Sequence, residues 1–188
     1  MPVPCPPPTL ATERLTLRAM RLDDCAAFAA FFASPRAAHI DGGRGEVPAW
    51  CLFASDAVQW EMCGVGGLMI DLSDTGETVG QVSVLQVNAV TGRAHPEPEL
   101  GWLLYAGHEG RGLATEAAGR LRDWAFAEGG VDRLVSYVSP RNARSIRVAE
   151  RLGAVPDASA ACPDPGDVVF RHHAPAGDVA ARPPGADA

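Results

Sequence analysis

The chain has no lysine; all 16 of its basic residues are arginine. That absence excludes a phosphate loop of the Gly-Lys-Ser/Thr kind. The arginine-only usage itself reads as a genome-level composition bias. Positive charge as a whole is scarce: 23 acidic residues leave a net charge of −7 at pH 7. This balance argues against a nucleic-acid surface and mildly favours a cationic or amine-bearing substrate. No apolar run approaches the roughly 20 residues that a membrane-spanning helix requires, so no membrane partner is expected. The segment from Met1 to Pro8 is proline-rich and has neither a basic region nor an apolar stretch, which is unlike a secretory signal and predicts a cytoplasmic protein. The cysteines (Cys5, Cys25, Cys51, Cys63 and Cys162) are scattered, odd in number and without CxxC or zinc-like spacing, so they read as reduced packing residues. His172 and His173 are adjacent on a strand-like segment and would point to opposite faces, so no metal is expected.

What is present fits one globular domain: 188 residues, 47% hydrophobic and 21% charged, enough to bury a core without disulfides. Arg14 to Arg18 alternates polar and apolar residues and predicts a first strand. Asp23 and Asp24 precede an apolar run from Cys25 to Phe32, as at a helix start, and Pro35 stops that helix. Gly42-Gly43-Arg44-Gly45 reads as a flexible break, and Pro48 opens a second helix through Trp60. Gly67 to Leu72 and Val79 to Val87 form a predicted hairpin around Ser73 to Glu77. Asn88 to Glu97 reads as a polar loop, and Leu100 to Tyr105 as a strand. Ala114, Ala117, Ala118, Leu121, Trp124 and Ala125 share one helical face, ended by Gly129-Gly130. Arg133 to Val138 is a further strand, followed by a helix with Asn142 as N-cap and Gly153 at its close. Pro156 to Gly166 reads as a loop and Val168 to Phe170 as a last strand. Only the strand–helix–strand unit in the middle needs a parallel crossover, so the fold class is α+β with a mixed, mostly antiparallel sheet.

The densest chemical signal is Glu109-Gly110-Arg111-Gly112-Leu113-Ala114, a glycine turn between a strand and a helix N-terminus. Such a turn presents unpaired backbone N–H groups to an anion, Gly110 and Gly112 allow a close main-chain approach, and Arg111 adds positive charge. Thr115 stands where a dinucleotide fingerprint would need its third glycine, which excludes that motif. The ligand suggested is a diphosphate.

Two segments, Glu99 to Ala118 and Val138 to Gly153, together resemble the GNAT superfamily of N-acetyltransferases, in particular the branch of ribosomal-protein-alanine N-acetyltransferases. The family's acyl-CoA motif, Gln/Arg-x-x-Gly-x-Gly/Ala, corresponds to Glu109 to Ala114. The resemblance implies one domain over residues 12–173, between a proline-rich tail (1–11) and a C-terminal tail (174–188). It implies a sheet splayed at its centre with helices on both faces, and acetyl-CoA as the acyl donor. The implied cofactor-binding residues are Leu103, Leu104 and Tyr105 for pantetheine, Gly110, Arg111, Gly112, Leu113, Ala114 and Thr115 for the diphosphate, Asn142 for pantetheine or a nearby water, and Ser145 for the thiol or thiolate. Catalysis is implied to be direct attack of an amine on the thioester, with Glu99 as general base and Ser145 serving the leaving thiolate. Glu97, His95 or water are the alternatives to Glu99.

Departures from the pattern are Glu109 at the motif's first position, expected to face solvent or pair with Arg111, and Ala149 and Ala154 where the family commonly has a tyrosine acid and an aromatic. Trp50 and Trp60 are expected in the core or at the acceptor entrance, with Gly42-Gly43 as a lip. The acceptor is a protein N-terminus or a small-molecule amine, and a homodimer is compatible with the sequence. A non-catalytic acyl-CoA binder or sensor is the alternative function.

Overall fold

A computed structural model of the chain describes residues 5–40, 47–89, 92 and 94–175. The expected glycine break at 42–45, with its lip at 42–43, and most of the C-terminal tail lie outside those residues. The elements run β1 (Leu10–Ala11), β2 (Leu15–Ala19), α1 (Cys25–Phe32), α2 (Ala49–Cys63), β3 (Gly67–Leu72), β4 (Thr78–Val87), β5 (Ala94–Leu104), α3 (Leu113–Ala127), β6 (Leu134–Val138), α4 (Ala143–Arg151), β7 (Val155–Pro156) and β8 (Val168–His172). Short 3-10 turns at Leu22–Asp24 and Pro35–His39 flank α1. One eight-stranded sheet has the order β1-β2-β3-β4-β5-β6-β8-β7. Every neighbouring pair is antiparallel except β5 with β6.

The period-two alternation of the strands sends their side chains to two separate layers. Leu15, Leu17, Leu68, Ile70, Val82, Val84, Leu100 and Leu104 pack on one face against Leu113, Ala117, Leu121 and Trp124 of α3. Met69 and Leu103, from the intervening positions, face the other way and meet Phe28 and Phe31 of α1 and Leu52 and Phe53 of α2. The stripe of apolar residues along α3 is what commits that helix to the first face. α1 and its preceding turn are tied to β2 by Arg18, which donates to both oxygens of Asp24 at 2.8 Å and to Asp71 at 2.6 Å. Burial alone would raise the pKa of Asp24, but the hydrogen bonds from Arg18 and the Arg21 backbone outweigh it and hold the carboxyl below its ordinary value.

Three elements differ from the sequence expectation. The stretch assigned to an N-terminal tail contributes β1: Leu10 is buried and pairs with Leu17. Two residues are too few for alternation to show. The expected loop from Asn88 to Glu97 contains the first part of β5, which starts at Ala94. Prolines signal a loop because they lack an N–H. Glu99 lies opposite Leu85 of β4, so by ladder alternation the main chain of Pro98 faces away from β4 and its missing N–H costs no bond there. Finally, Val155–Pro156 at the start of the expected loop pairs with β8.

Candidate active site

The site is set by the one place where the sheet fails to close. Parallel strands β5 and β6 share a single register pair, Glu99 with Val135, and then diverge. Immediately past that pair, Ser136 Oγ donates to the carbonyl of Leu100 at 2.6 Å and lies 2.9 Å from His172 Nε2. With the serine hydrogen committed to Leu100, His172 Nε2 carries the hydrogen in the second contact. Burial and the nearby Arg122 charge push the His172 pKa down to about 4, so the ring is neutral. A side chain thus takes over the carbonyl that the departing strand leaves open.

Ladder alternation decides which main-chain groups face the opening. Tyr105 gives its N–H to Val79 of β4 at 2.8 Å, and Leu103, two residues back, shares that orientation. Leu104 therefore faces the gap, and its carbonyl accepts from Arg36 Nη2 at 2.9 Å. Of the three residues expected to offer main-chain groups to pantetheine, Leu104 alone faces the gap; Leu103 contributes its side chain to the cavity wall instead. Tyr105 packs near Phe31, and burial raises its hydroxyl pKa.

At the end of β5 the chain passes through Gly110 (φ 75°) and Gly112 (φ 81°), both left-handed, before α3 begins at Leu113. Leu113 and Ala114 are buried under the turn, Thr115 is half-buried, and Gly110, Arg111 and Gly112 are exposed. The first N–H groups of α3 have no partner within the helix, and the helix dipole makes this end positive. An anion of diphosphate size fits this chemistry. Arg14, immediately before β2, buttresses the turn: its Nη1 donates to the Arg111 carbonyl at 3.0 Å, and its Nε donates to Glu116 at 2.7 Å. Burial would raise the pKa of Glu116, but Thr12 and Arg14 bind its carboxylate and lower it.

Glu109 neither faces solvent alone nor pairs with Arg111, as the sequence suggested. It forms an ion pair with Arg36, accepts from the Gly107 N–H at 2.8 Å and has Arg144 Nη1 at 3.9 Å. Two guanidinium groups meet one carboxylate, so the acid at the motif's first position leaves this end of the cleft positive.

Below the splay lies a cavity of about 330 Å³ whose wall includes Glu99, Leu103, Asn142 and Ser145. Leu104, Tyr105 and the turn from Gly110 to Thr115 lie outside its lining. Asn142 caps α4, its Oδ1 accepting from the Ser145 N–H at 3.2 Å, and this places Ser145 in the first helical turn. Ala149, one turn further, is fully buried among Val138, Ala154 and Phe170, so that position packs into the core. Glu99 Oε2 is 3.4 Å from Nε2 of His95, whose side chain is 4% exposed and whose pKa is lowered by burial. The His95 ring stacks on Tyr137 at 5.8 Å, and burial, followed by the Glu99 charge, pushes the Tyr137 hydroxyl up to about 12. Opposite, Asp56 of α2 accepts from Gln81 Nε2 at 2.7 Å within the same wall.

Tyr137, Ser136, Arg14 and Arg36 were not singled out by sequence reasoning as parts of a site. Each meets its partners across long sequence separations, and none sits in a recognisable spacing. Trp60 is buried, donates to the Gly67 carbonyl at 2.9 Å and packs edge-on to Trp124, whereas Trp50 is exposed. Glu97 is occupied by Arg171, which contacts both of its oxygens, and that pairing lowers its pKa. His172 is buried and His173 exposed. Among the described residues no group of three or more His, Cys, Asp or Glu is arranged to hold a metal ion.

The acetyltransferase (GNAT) domain model matches residues 14–155. The chain is 29% identical over 150 residues to an uncharacterised N-acetyltransferase of Bacillus licheniformis, covering 77% of this chain and 80% of the relative. Among solved structures it is similar to an acetyltransferase from Agrobacterium tumefaciens, with 50% identity and a TM-score of 0.81 over 88% of this chain and 94% of that one. A ribosomal-protein-alanine acetyltransferase from Vibrio fischeri has a TM-score of 0.64 at 17% identity, over 87% of this chain and 94% of that one, a likeness of fold. An open, splayed sheet, a left-handed glycine turn at a helix N-terminus and these matches lead to one conclusion: the chain belongs to the GNAT acetyltransferase family and is an N-acetyltransferase.

Proposed function

We propose that the protein transfers an acetyl group from acetyl-CoA directly to an acceptor amine, with the donor entering through the gap between β5 and β6. The observation that carries this reading is the convergence of Glu99, Asn142 and Ser145 on one cavity beneath the point where those strands part. Leu104 and the Gly110–Thr115 turn, with Arg14, Arg36 and Arg144 around it, would hold the donor. The chemistry supplied by bound acetyl-CoA is an activated thioester carbonyl.

The chain's own residues meet the remaining requirements. Glu99 removes a proton so that the amine attacks in its neutral form. Its carboxylate is oriented by the buried His95 ring. Ser145, held in the first turn of α4 by the Asn142 cap, offers its hydroxyl to the departing thiolate, since Ala149 is committed to the core. The remainder of that cavity, walled by α1 and α2 on one side and by the β7–β8 loop on the other, receives the acceptor. The described cysteines are all free, which suits a reducing, cytoplasmic setting.

Thiol release from acetyl-CoA in the presence of a panel of amines and N-terminal peptides tests the reading. Amine-dependent release is expected. Tight acetyl-CoA binding with no release across the whole panel would instead favour a non-catalytic acyl-CoA binder.

A further inference from the structure

We propose that the acceptor is a small amine carrying a second cationic group, its reacting nitrogen at Glu99 and its second charge at Asp164 and Asp167. This inference rests on the acetyltransferase reading and names the acceptor class for the same cavity. Asp164 and Asp167 belong to the loop between β7 and β8, and both line the cavity that holds Glu99. All three carboxylates act electrostatically on the Cys162 thiol, which puts them at one end of the cavity.

The way neighbouring acids are treated makes this pair distinctive. Glu97 and Asp157, on the same side of the molecule, are both paired with Arg171, at 2.7 Å in each case. Asp164 and Asp167 have no cationic partner among the described residues. Asp164 Oδ1 accepts only from the Gly166 N–H at 3.0 Å within its own turn. Burial, and then the Asp164 charge, raises the Asp167 pKa. Two like charges held together in a partly dry wall are destabilising unless a cation joins them.

A separate observation points to the same end of the cavity. His95 also lines it, its side chain is 4% exposed, and its Nδ1 has no hydrogen-bond partner. A buried polar atom left unsatisfied in a cavity wall is a place for a ligand's N–H. The cavity, at about 330 Å³, is at the small end of ligand sites. The cleft is therefore polarised: Arg36 and Arg144 gather at the glycine turn, where the donor's phosphates belong, and carboxylates gather where the acceptor enters. A peptide N-terminus supplies one positive charge; a diamine supplies two.

Calorimetric titration of the CoA-loaded protein with 1,4-diaminobutane and with butylamine, which differ by one charge, tests the proposal. The diamine is expected to bind at least about tenfold more tightly, a difference of about 1.4 kcal/mol. In D164N/D167N that ratio should fall towards one, and in D167N alone to an intermediate value. Asn keeps the Oδ1 that accepts from Gly166, and melting curves of both variants report whether the fold is retained. Equal affinities in the wild type, a preference that survives in the double variant, or no binding of either amine would overturn it. So would tighter binding of an N-terminal peptide than of the diamine. If acetyl-CoA is turned over with other amines while the diamine shows no preference, only this inference fails; if no acceptor supports thiol release, the acetyltransferase mechanism fails on its own.

Discussion

Glu99 and His95 form a pair in which only one partner carries charge. Burial lowers the pKa of His95, so near neutral pH the ring beside Glu99 is uncharged and orients the carboxylate without cancelling it. E99Q keeps the shape and removes the base. Its kcat should fall by about 10²–10⁴ and the acidic limb of its pH–rate profile should flatten, whereas S145A should lower kcat with little change in acetyl-CoA affinity. Single-turnover and steady-state assays across pH separate these effects. An E99Q profile that superimposes on the wild type would assign proton removal to water or another group. That Glu99, Asn142 and Ser145 would lie near one another was legible because Glu99 is on the strand before the glycine turn and the other two open the helix after the crossover. The partner of Glu109 was not: Arg36 is 73 residues away, and only folding brings it there.

Among the elements, α3 and its entrance depend on backbone conformation more than on any side chain. Gly112 has φ 81° and opens directly into the first turn, with Arg14 Nη2 3.5 Å from where a Cβ would stand. G112A forces a Cβ into the left-handed region, at a cost of about 1–2 kcal/mol. It should lower the melting temperature and weaken acetyl-CoA binding together, as measured by thermal denaturation and by titration; unchanged affinity would place the diphosphate elsewhere. The helix itself was readable from its stripe of Ala117, Ala118, Leu121, Trp124 and Ala125, and α4 from its Asn142 cap, because both signals are local. The early start of β5 was hidden by Pro96 and Pro98, whose cost depends on which way the main chain faces in the ladder.

At the scale of the whole molecule, burial of titratable groups couples stability to pH. The folded pKa of His172 is about 4, against 6.5 for an ordinary histidine. The unfolded chain therefore takes up this proton first, and stability present above pH 6.5 is lost as pH falls towards 4, by on the order of 3 kcal/mol. Denaturant unfolding between pH 7 and 4 should show that decline, and H172Q should flatten it. At lower pH, Asp24, Glu97 and Glu116, all with depressed pKa values, add their own losses as they protonate. A wild-type stability independent of pH over this window would show that His172 is not buried as described.

The sequence by itself determined the four helices, the longer strands, the one parallel crossover, and the glycine turn with its Asn142-capped partner helix, because hydrophobic period, capping and turn chemistry act within a few residues. It also pointed, through two motifs read together, to the GNAT family, whose acyl donor is acetyl-CoA. Only the tertiary structure decided the rest: that Ser136 and His172 hold the sheet at the edge of its opening, that Arg36 and Arg144 offset Glu109, and that Asp164 and Asp167 line the same cavity as Glu99. Those are contacts between residues far apart in the chain, and electrostatic meaning depends on distance in space, which no local pattern encodes.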